Sequence, residues 1–136
     1  MLTNKILYYI IVLVKWYSGG DNLNFDNNIP IYIQIMNKIK KDIISGKLKP
    51  NEKLDSVREL SLKLKVNPNT LQKALSELEN LKLIYTERTN GKYVTNNTNL
   101  IEKEREKEAL NLTKTYIEEM KSLGITKEEI KKFMKG

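Results

Sequence analysis

Neither cysteine nor histidine occurs anywhere in the chain. Their absence removes disulfides, thiolate nucleophiles, imidazole bases and the usual zinc constellations. Serine and threonine hydroxyls remain, but no imidazole is available to activate them. Glycine-rich phosphate loops of the G-x-x-x-x-G-K-[ST] or G-x-G-x-x-G kind are missing as well. Carboxylate or lysine chemistry stays open in principle, yet no spacing marks a site for it. The expectation is a chain that is not an enzyme and takes no metal or cofactor. Lack of cysteine also suits a reducing cytoplasm.

A membrane-spanning run is lacking too. Residues 6–14 (ILYYIIVLV) are nine consecutive apolar residues, against the ~20 that a spanning helix needs. Three readings of this segment stand. It can be the apolar part of a signal peptide, since Lys5 precedes it, although Lys15, Trp16 and Tyr17 follow where a small-residue cleavage site belongs. It can be a genuine N-terminal strand or helix, and in one version a tether to a membrane. Or it is not natively translated. Ser18-Gly19-Gly20-Asp21 can be encoded by TCA-GGA-GGT-GAT, which contains a bacterial ribosome-binding sequence, and Leu23 by TTG, an alternative start codon. The native protein would then lack residues 1–22, a point that the gene's codons decide.

Positive charge is present, and it is concentrated. Lys and Arg number 24 against 17 Asp and Glu, a net of +7. Residues 1–27 carry two cations and two anions, residues 28–95 carry 13 and seven, and residues 96–136 carry nine and eight. The excess therefore belongs to the middle segment, as a domain that holds a polyanion requires. A solvated lysine-rich surface would give the same count. Three parts follow: an N-terminal extension (1–27), a basic domain (28–96) and a tail (97–136).

In the basic domain, Ile31, Ile35, Ile39 and Ile43 recur every fourth residue after Pro30, with Tyr32 and Met36 nearby. The spacing predicts an amphipathic helix with Lys38, Lys40 and Lys41 on its wet side, ended by Gly46 as a left-handed cap. KLKPNEKL is a turn-rich connector. Ser56-Val57-Arg58-Glu59 then fits a capping box, and Val57, Leu60 and Leu64 line one face of the helix it starts. Only Lys65-Val66-Asn67 separate that helix from the next. Asn67 suits the N-cap and Pro68 the first helical position, where the missing donor is no loss. Leu71, Ala74, Leu75, Leu78 and Leu81 form an apolar stripe, which makes the pair a helix-turn-helix.

With that stripe inward, Asn69, Thr70, Gln72, Lys73 and Ser76 face out. Small polar groups at a helix N-terminus suit close approach to a phosphate or to base edges in the major groove. Capping alone explains Asn67 and Pro68, but explains Asn69, Thr70 and Lys73 less well. Two β-prone runs, LIYT and KYVT, flank Glu87-Arg88-Thr89-Asn90-Gly91, and Asn-Gly signals a hairpin. Behind a helix-turn-helix such a hairpin is a wing, here tipped by Arg88, Asn90, Gly91 and Lys92. A cation beside glycine suits phosphates or a minor groove.

The run from P-I-Y-x-Q-I through S-G-x-L-x-P, S-V-R-E-L and V-N-P-N-T to L-x-x-x-L-I resembles the winged-helix DNA-binding domain of GntR-family bacterial transcription regulators, over about half the chain. The resemblance implies a cytoplasmic homodimer on a pseudo-palindromic operator in double-stranded DNA, usually as a repressor. It carries Arg58, Asn69, Thr70, Lys73, Asn90 and Gly91 over as DNA-facing residues. Beside them Ser56, Asn67, Gln72, Arg88 and Lys92 complete the candidate set. Two positions depart from the pattern. Asn51 stands where the family has glycine after proline, and Asp55 where it has a second proline. A carboxylate at residue 55, close to phosphates, opposes binding.

The tail opens with TNNTN, a polar linker. Residues 100–121 read as a helix with Leu110, Thr113, Tyr116, Ile117 and Met120 at helical spacing, stopped at Leu123-Gly124. Thr126 and Glu129 begin a second short helix carrying Ile130, Phe133 and Met134. Two short helices bury these residues poorly alone. Leu110, Tyr116, Ile117, Met120, Leu123, Ile130 and Phe133 are therefore the candidate dimerisation residues, unless the tail folds back on the first helix. About forty residues are too few for the metabolite-binding domain of large family members. The short tail looks like the YtrA-type subgroup, associated with transporter regulation, and no residue identifies an effector. The expected fold is mainly α with a small β-wing: a winged helix-turn-helix followed by a two-helix dimerisation tail. The alternative function is a winged helix that binds other proteins and not DNA.

Overall fold

The computed structural model describes residues 27–135, so the readings of the first segment fall outside the described residues. The element order is α1 (Ile31–Ile44), α2 (Val57–Leu64), α3 (Pro68–Asn80), β1 (Ile84–Glu87), β2 (Gly91–Val94), α4 (Thr98–Ser122) and α5 (Lys127–Phe133). The fold is a mainly helical winged helix-turn-helix with one antiparallel two-stranded sheet, followed by two helices. Among the described residues no helix is long and apolar enough to cross a membrane.

A spacing of four keeps Ile35, Ile39 and Ile43 on one side of α1, and all three are buried. Ile31, at the helix start, is exposed. Ser45 caps the C-terminus and Gly46 follows at φ +84°, the left-handed geometry that glycine adopts without steric cost. Lys40 departs from its expected wet position. Its side chain is mostly covered, and its ammonium lies 3.0 Å from Glu104 of α4.

Ser56 Oγ accepts the Glu59 N–H at 3.1 Å and starts α2. Lys65 ends it in left-handed backbone (φ +54°), with the Val66 N–H donating to Ser61 O. That single residue makes the turn tight enough for α3 to begin three positions later. Asn67 Oδ1 accepts the Asn69 N–H at 2.8 Å, and Pro68 opens the helix. Leu71, Ala74, Leu75 and Leu78 are all but fully buried, in one cluster with the α1 isoleucines. Burying each such leucine contributes about 1.5–3 kcal/mol. The stripe stops there: Leu81 is exposed, because it caps the helix from outside. Lys82 then turns the chain at φ +61°, and buried Leu83 occupies the next core position, its N–H donating to Leu78 O.

The hairpin pairs Ile84 with Val94, Tyr85 with Tyr93, Thr86 with Lys92 and Glu87 with Gly91. Its loop is therefore three residues, 88–90, since Glu87 and Gly91 of the expected connection are themselves paired. The connector is more than a turn. Asn51 N–H donates to Val94 O, Val94 N–H to Glu52 O and Leu54 N–H to Lys92 O, around an isolated antiparallel bridge between Lys53 and Tyr93 of β2. Asn51 sits at φ +65°, so the residue that replaces glycine is one that tolerates left-handed backbone.

No linker precedes the tail. Asn97 Oδ1 accepts the Leu100 N–H, α4 begins at Thr98, and Leu100 and Ile101 pack on the core cluster. The first turns of α4 thus lie against α1. Farther on, Gly124 (φ +78°) reverses the chain and α5 packs on the end of α4. Ile130 is 5% exposed within this one chain. The chain's own helices already cover it, unlike the other residues expected on a dimer surface. Leu110 (70%), Leu123 (73%), Phe133 (63%) and Tyr116 (41%) are open, while Ile117 and Met120 are half-buried.

Leu78→Ala is expected to cost about 2–5 kcal/mol in denaturant unfolding, because no element is free to collapse into the space. Leu62→Ala, at a 71% exposed position of α2, should stay within about 0.5 kcal/mol.

Candidate nucleic-acid interface

Because four apolar side chains of α3 are locked inward, Asn69, Gln72, Lys73 and Ser76 are exposed and Thr70 is half-buried. Ser76 Oγ donates to Gln72 O at 2.9 Å and folds onto its own helix, which leaves Gln72 and Asn69 as the projecting amides. Lys73 is held from behind: its ammonium lies 4.1 Å from the centroid of the Tyr32 ring. Such a contact is worth roughly 0.5–1 kcal/mol at an exposed site. It anchors the charge on the side of α3 that meets α1. Tyr32 was placed on α1 by its spacing, but no local signal pairs it with Lys73.

Arg58 is exposed in the first turn of α2 and makes no ion pair with a described residue. Its own carbonyl accepts from Ser61 Oγ at 2.9 Å. Asp55, just ahead of this helix, pairs with Lys63 at 2.7 Å. The hydrogen bond to Asp55 raises the Lys63 pKa above its ordinary value. The carboxylate that replaces the family's proline is therefore balanced by a cation of the same chain. Ser56 and Asn67 are exposed, but their side-chain oxygens already serve as caps.

At the hairpin end Arg88, Thr89 and Asn90 are exposed, and Asn90 N–H donates to Glu87 O at 3.2 Å. Gly91 has φ +115°, and Lys53 Cε would lie 3.4 Å from an added Cβ. A side chain there would be strained, so glycine is required by the turn itself. Lys92 corrects the expectation of a tip cation. Its side chain runs back along the hairpin to α3, where Nζ lies 2.6 Å from Glu79 Oε1 and 3.0 Å from Thr86 Oγ1. Thr86 also donates to the same Glu79 oxygen. Glu79 is the residue that sequence reading missed, because it lies 13 positions from Lys92 and no spacing rule links a helix end to a strand.

The hydrogen bond from Lys92, and then that from Thr86, lower the Glu79 pKa. A carboxylate with a depressed folded-state pKa contributes stability above its unfolded value, lost as pH falls through the folded one. Glu79→Gln should therefore destabilise the domain by no more than about 1 kcal/mol near neutrality, the pair being partly exposed. Thermal unfolding of both proteins should show the gap closing as pH falls below about 4, with no change between pH 6 and 8.

The geometry finds its counterpart among known proteins. The model for bacterial regulatory proteins of the gntR family matches residues 31–94. An uncharacterised HTH-type transcriptional regulator of Bacillus subtilis, YhcF, is 36% identical over 116 residues, which are 82% of this chain and 96% of that protein. The HTH-type transcriptional repressor YtrA of the same species is 44% identical over 78 residues, 56% of this chain and 60% of that one. Among solved structures, a GntR family transcriptional regulator from Listeria monocytogenes superposes with a TM-score of 0.77 at 46% identity, covering 82% of this chain and 97% of that one. With the helix-turn-helix and the hairpin matched by the family model and 82% of the chain covered by a relative, this chain belongs to the GntR family of DNA-binding transcriptional regulators, which are not enzymes.

Proposed function

We propose that the chain is a cytoplasmic homodimeric repressor that binds a pseudo-palindromic operator through α3, the start of α2 and the wing tip. The observation that carries this reading is the fixed rotation of α3, which turns Asn69, Gln72 and half of Thr70 outward from a buried leucine face. Arg58, Arg88, Asn90 and Gly91 are exposed on the neighbouring elements, and Lys73 supplies a held charge. In this reading Arg58, Asn69, Thr70 and Gln72 meet base edges or phosphates, while Ser56 and Asn67 bring backbone donors and caps close to the backbone of the duplex. Half-sites would lie about one helical turn apart, or a small multiple of that.

Dimerisation is assigned to Leu110, Tyr116, Leu123 and Phe133, which are exposed, with Ile117 and Met120 at their edge. Apolar side chains open on α4 and α5 are best covered by the same helices of a second copy. Repression is supported by the name of the relative YtrA. Control of adjacent genes, transporters among them, belongs to the same reading.

A duplex enriched from a random-sequence pool by the full chain provides the probe. Arg58→Ala and Thr70→Ala should each weaken specific binding by about 1–3 kcal/mol if they read bases. Affinity should fall steeply with salt, as counterion release demands. A protein-interaction module would show neither enrichment nor a steep salt slope. Leu123→Glu should shift sedimentation towards the monomer, whereas an unchanged dimer would remove the tail from the interface.

A further inference from the structure

We infer that Glu79, Thr86 and Lys92 form a clamp that sets the wing against α3, so that Lys92 serves DNA binding by positioning the hairpin and not by touching a phosphate. The inference rests on the reading that α3 and the wing bind duplex DNA together.

A hairpin of two four-residue strands is marginally stable without outside support. Its base is secured by buried Ile84 and Val94. Nearer the tip, the two faces are held by different means. On one face Tyr85 and Tyr93 stack with ring centroids 5.6 Å apart, and the Tyr85 hydroxyl donates to Asn51 Oδ1 in the connector at 3.2 Å. Side chains alternate along a strand, so the Thr86–Lys92 pair lies on the other face. There it meets the last turn of α3. Lys92 Nζ donates to Glu79 Oε1 and to Thr86 Oγ1, and the Thr86 hydroxyl donates to that same carboxylate oxygen.

The Lys92 side chain is 16% exposed. A phosphate contact needs an ammonium that extends into solvent, and this one is committed to a carboxylate across an element boundary. The next pair, Glu87–Gly91, closes the loop that carries Arg88 and Asn90. Among the described residues the clamp is thus the tie between hairpin and α3 nearest the tip, and the place of Arg88 relative to α3 depends on it.

The test uses the full chain, a duplex enriched from random-sequence DNA by the wild type, and temperatures well below each variant's unfolding transition. Glu79→Gln removes a negative charge, so electrostatics alone would tighten binding and would free Lys92 for phosphate. The clamp requires the opposite sign. Glu79→Gln and Lys92→Met should each weaken binding by a similar factor, roughly three- to tenfold, and the double variant should be no weaker than either single. The loss caused by Arg88→Ala should also shrink in the Glu79→Gln background. A role in stability alone would leave that last coupling at zero. Tighter or unchanged binding by Glu79→Gln, additive losses in the double variant, or an undiminished Arg88→Ala effect would overturn the clamp. A wild type that enriches no duplex would instead overturn the DNA-binding reading beneath it.

Discussion

The packing of Leu71, Ala74, Leu75 and Leu78 against Ile35, Ile39 and Ile43 is the constraint on which the other placements rest. A helix advances about 100° per residue, so once those four positions are buried the rest of α3 has no rotational freedom left. Asn69, Gln72 and Lys73 face outward because the leucines cannot. The hairpin is then placed by Leu83, Ile84 and Val94, which continue the same cluster, and α4 by Leu100 and Ile101 at its margin. A loosened core would disturb the outward face before it disturbed any single polar contact.

Charge is distributed on top of that frame with economy. Several lysines that look free in the sequence are paired across elements: Lys40 with Glu104, Lys63 with Asp55 and Lys92 with Glu79. Each pair joins two parts of the chain whose relation matters, α1 to α4, connector to α2, and α3 to wing. The net positive charge of the domain is consequently not spread evenly over its lysines. Arg58 and Arg88, exposed on the first helix-turn-helix helix and the wing tip, pair with no described residue. Ion pairs of this partly exposed kind add little to stability singly, but they orient what the apolar core leaves adjustable.

How much of this was legible follows from the range of each interaction. The four-residue isoleucine period, the Ser56 and Asn67 caps and the short turn before Pro68 are local, and the helices stand where those signals put them. What was not legible is long-range or conformational. The connector's pairing with β2 joins residues some forty positions apart and leaves no pattern in either segment. Lys65 and Lys82 adopt left-handed backbone although their side chains give no hint of it, because the core on either side dictates the turn. That turn is why Leu83, and not Leu81, enters the core. TNNTN read as a linker since its residues are small and polar, but the same Asn97 that marks a loop also caps a helix. The covering of Ile130 and the pairing of Lys92 are hidden for one reason: the partner of each lies on another element.

The central claim is that α3 presents a fixed polar face to DNA. The most direct measurement is the change in backbone amide NMR shifts when a duplex enriched by this protein is titrated into it. The account predicts that the largest changes fall at Arg58, from Asn69 to Lys73, and from Arg88 to Gly91, with the α5 amides unmoved. Changes centred on the tail, with the amides of α3 undisturbed, would contradict it.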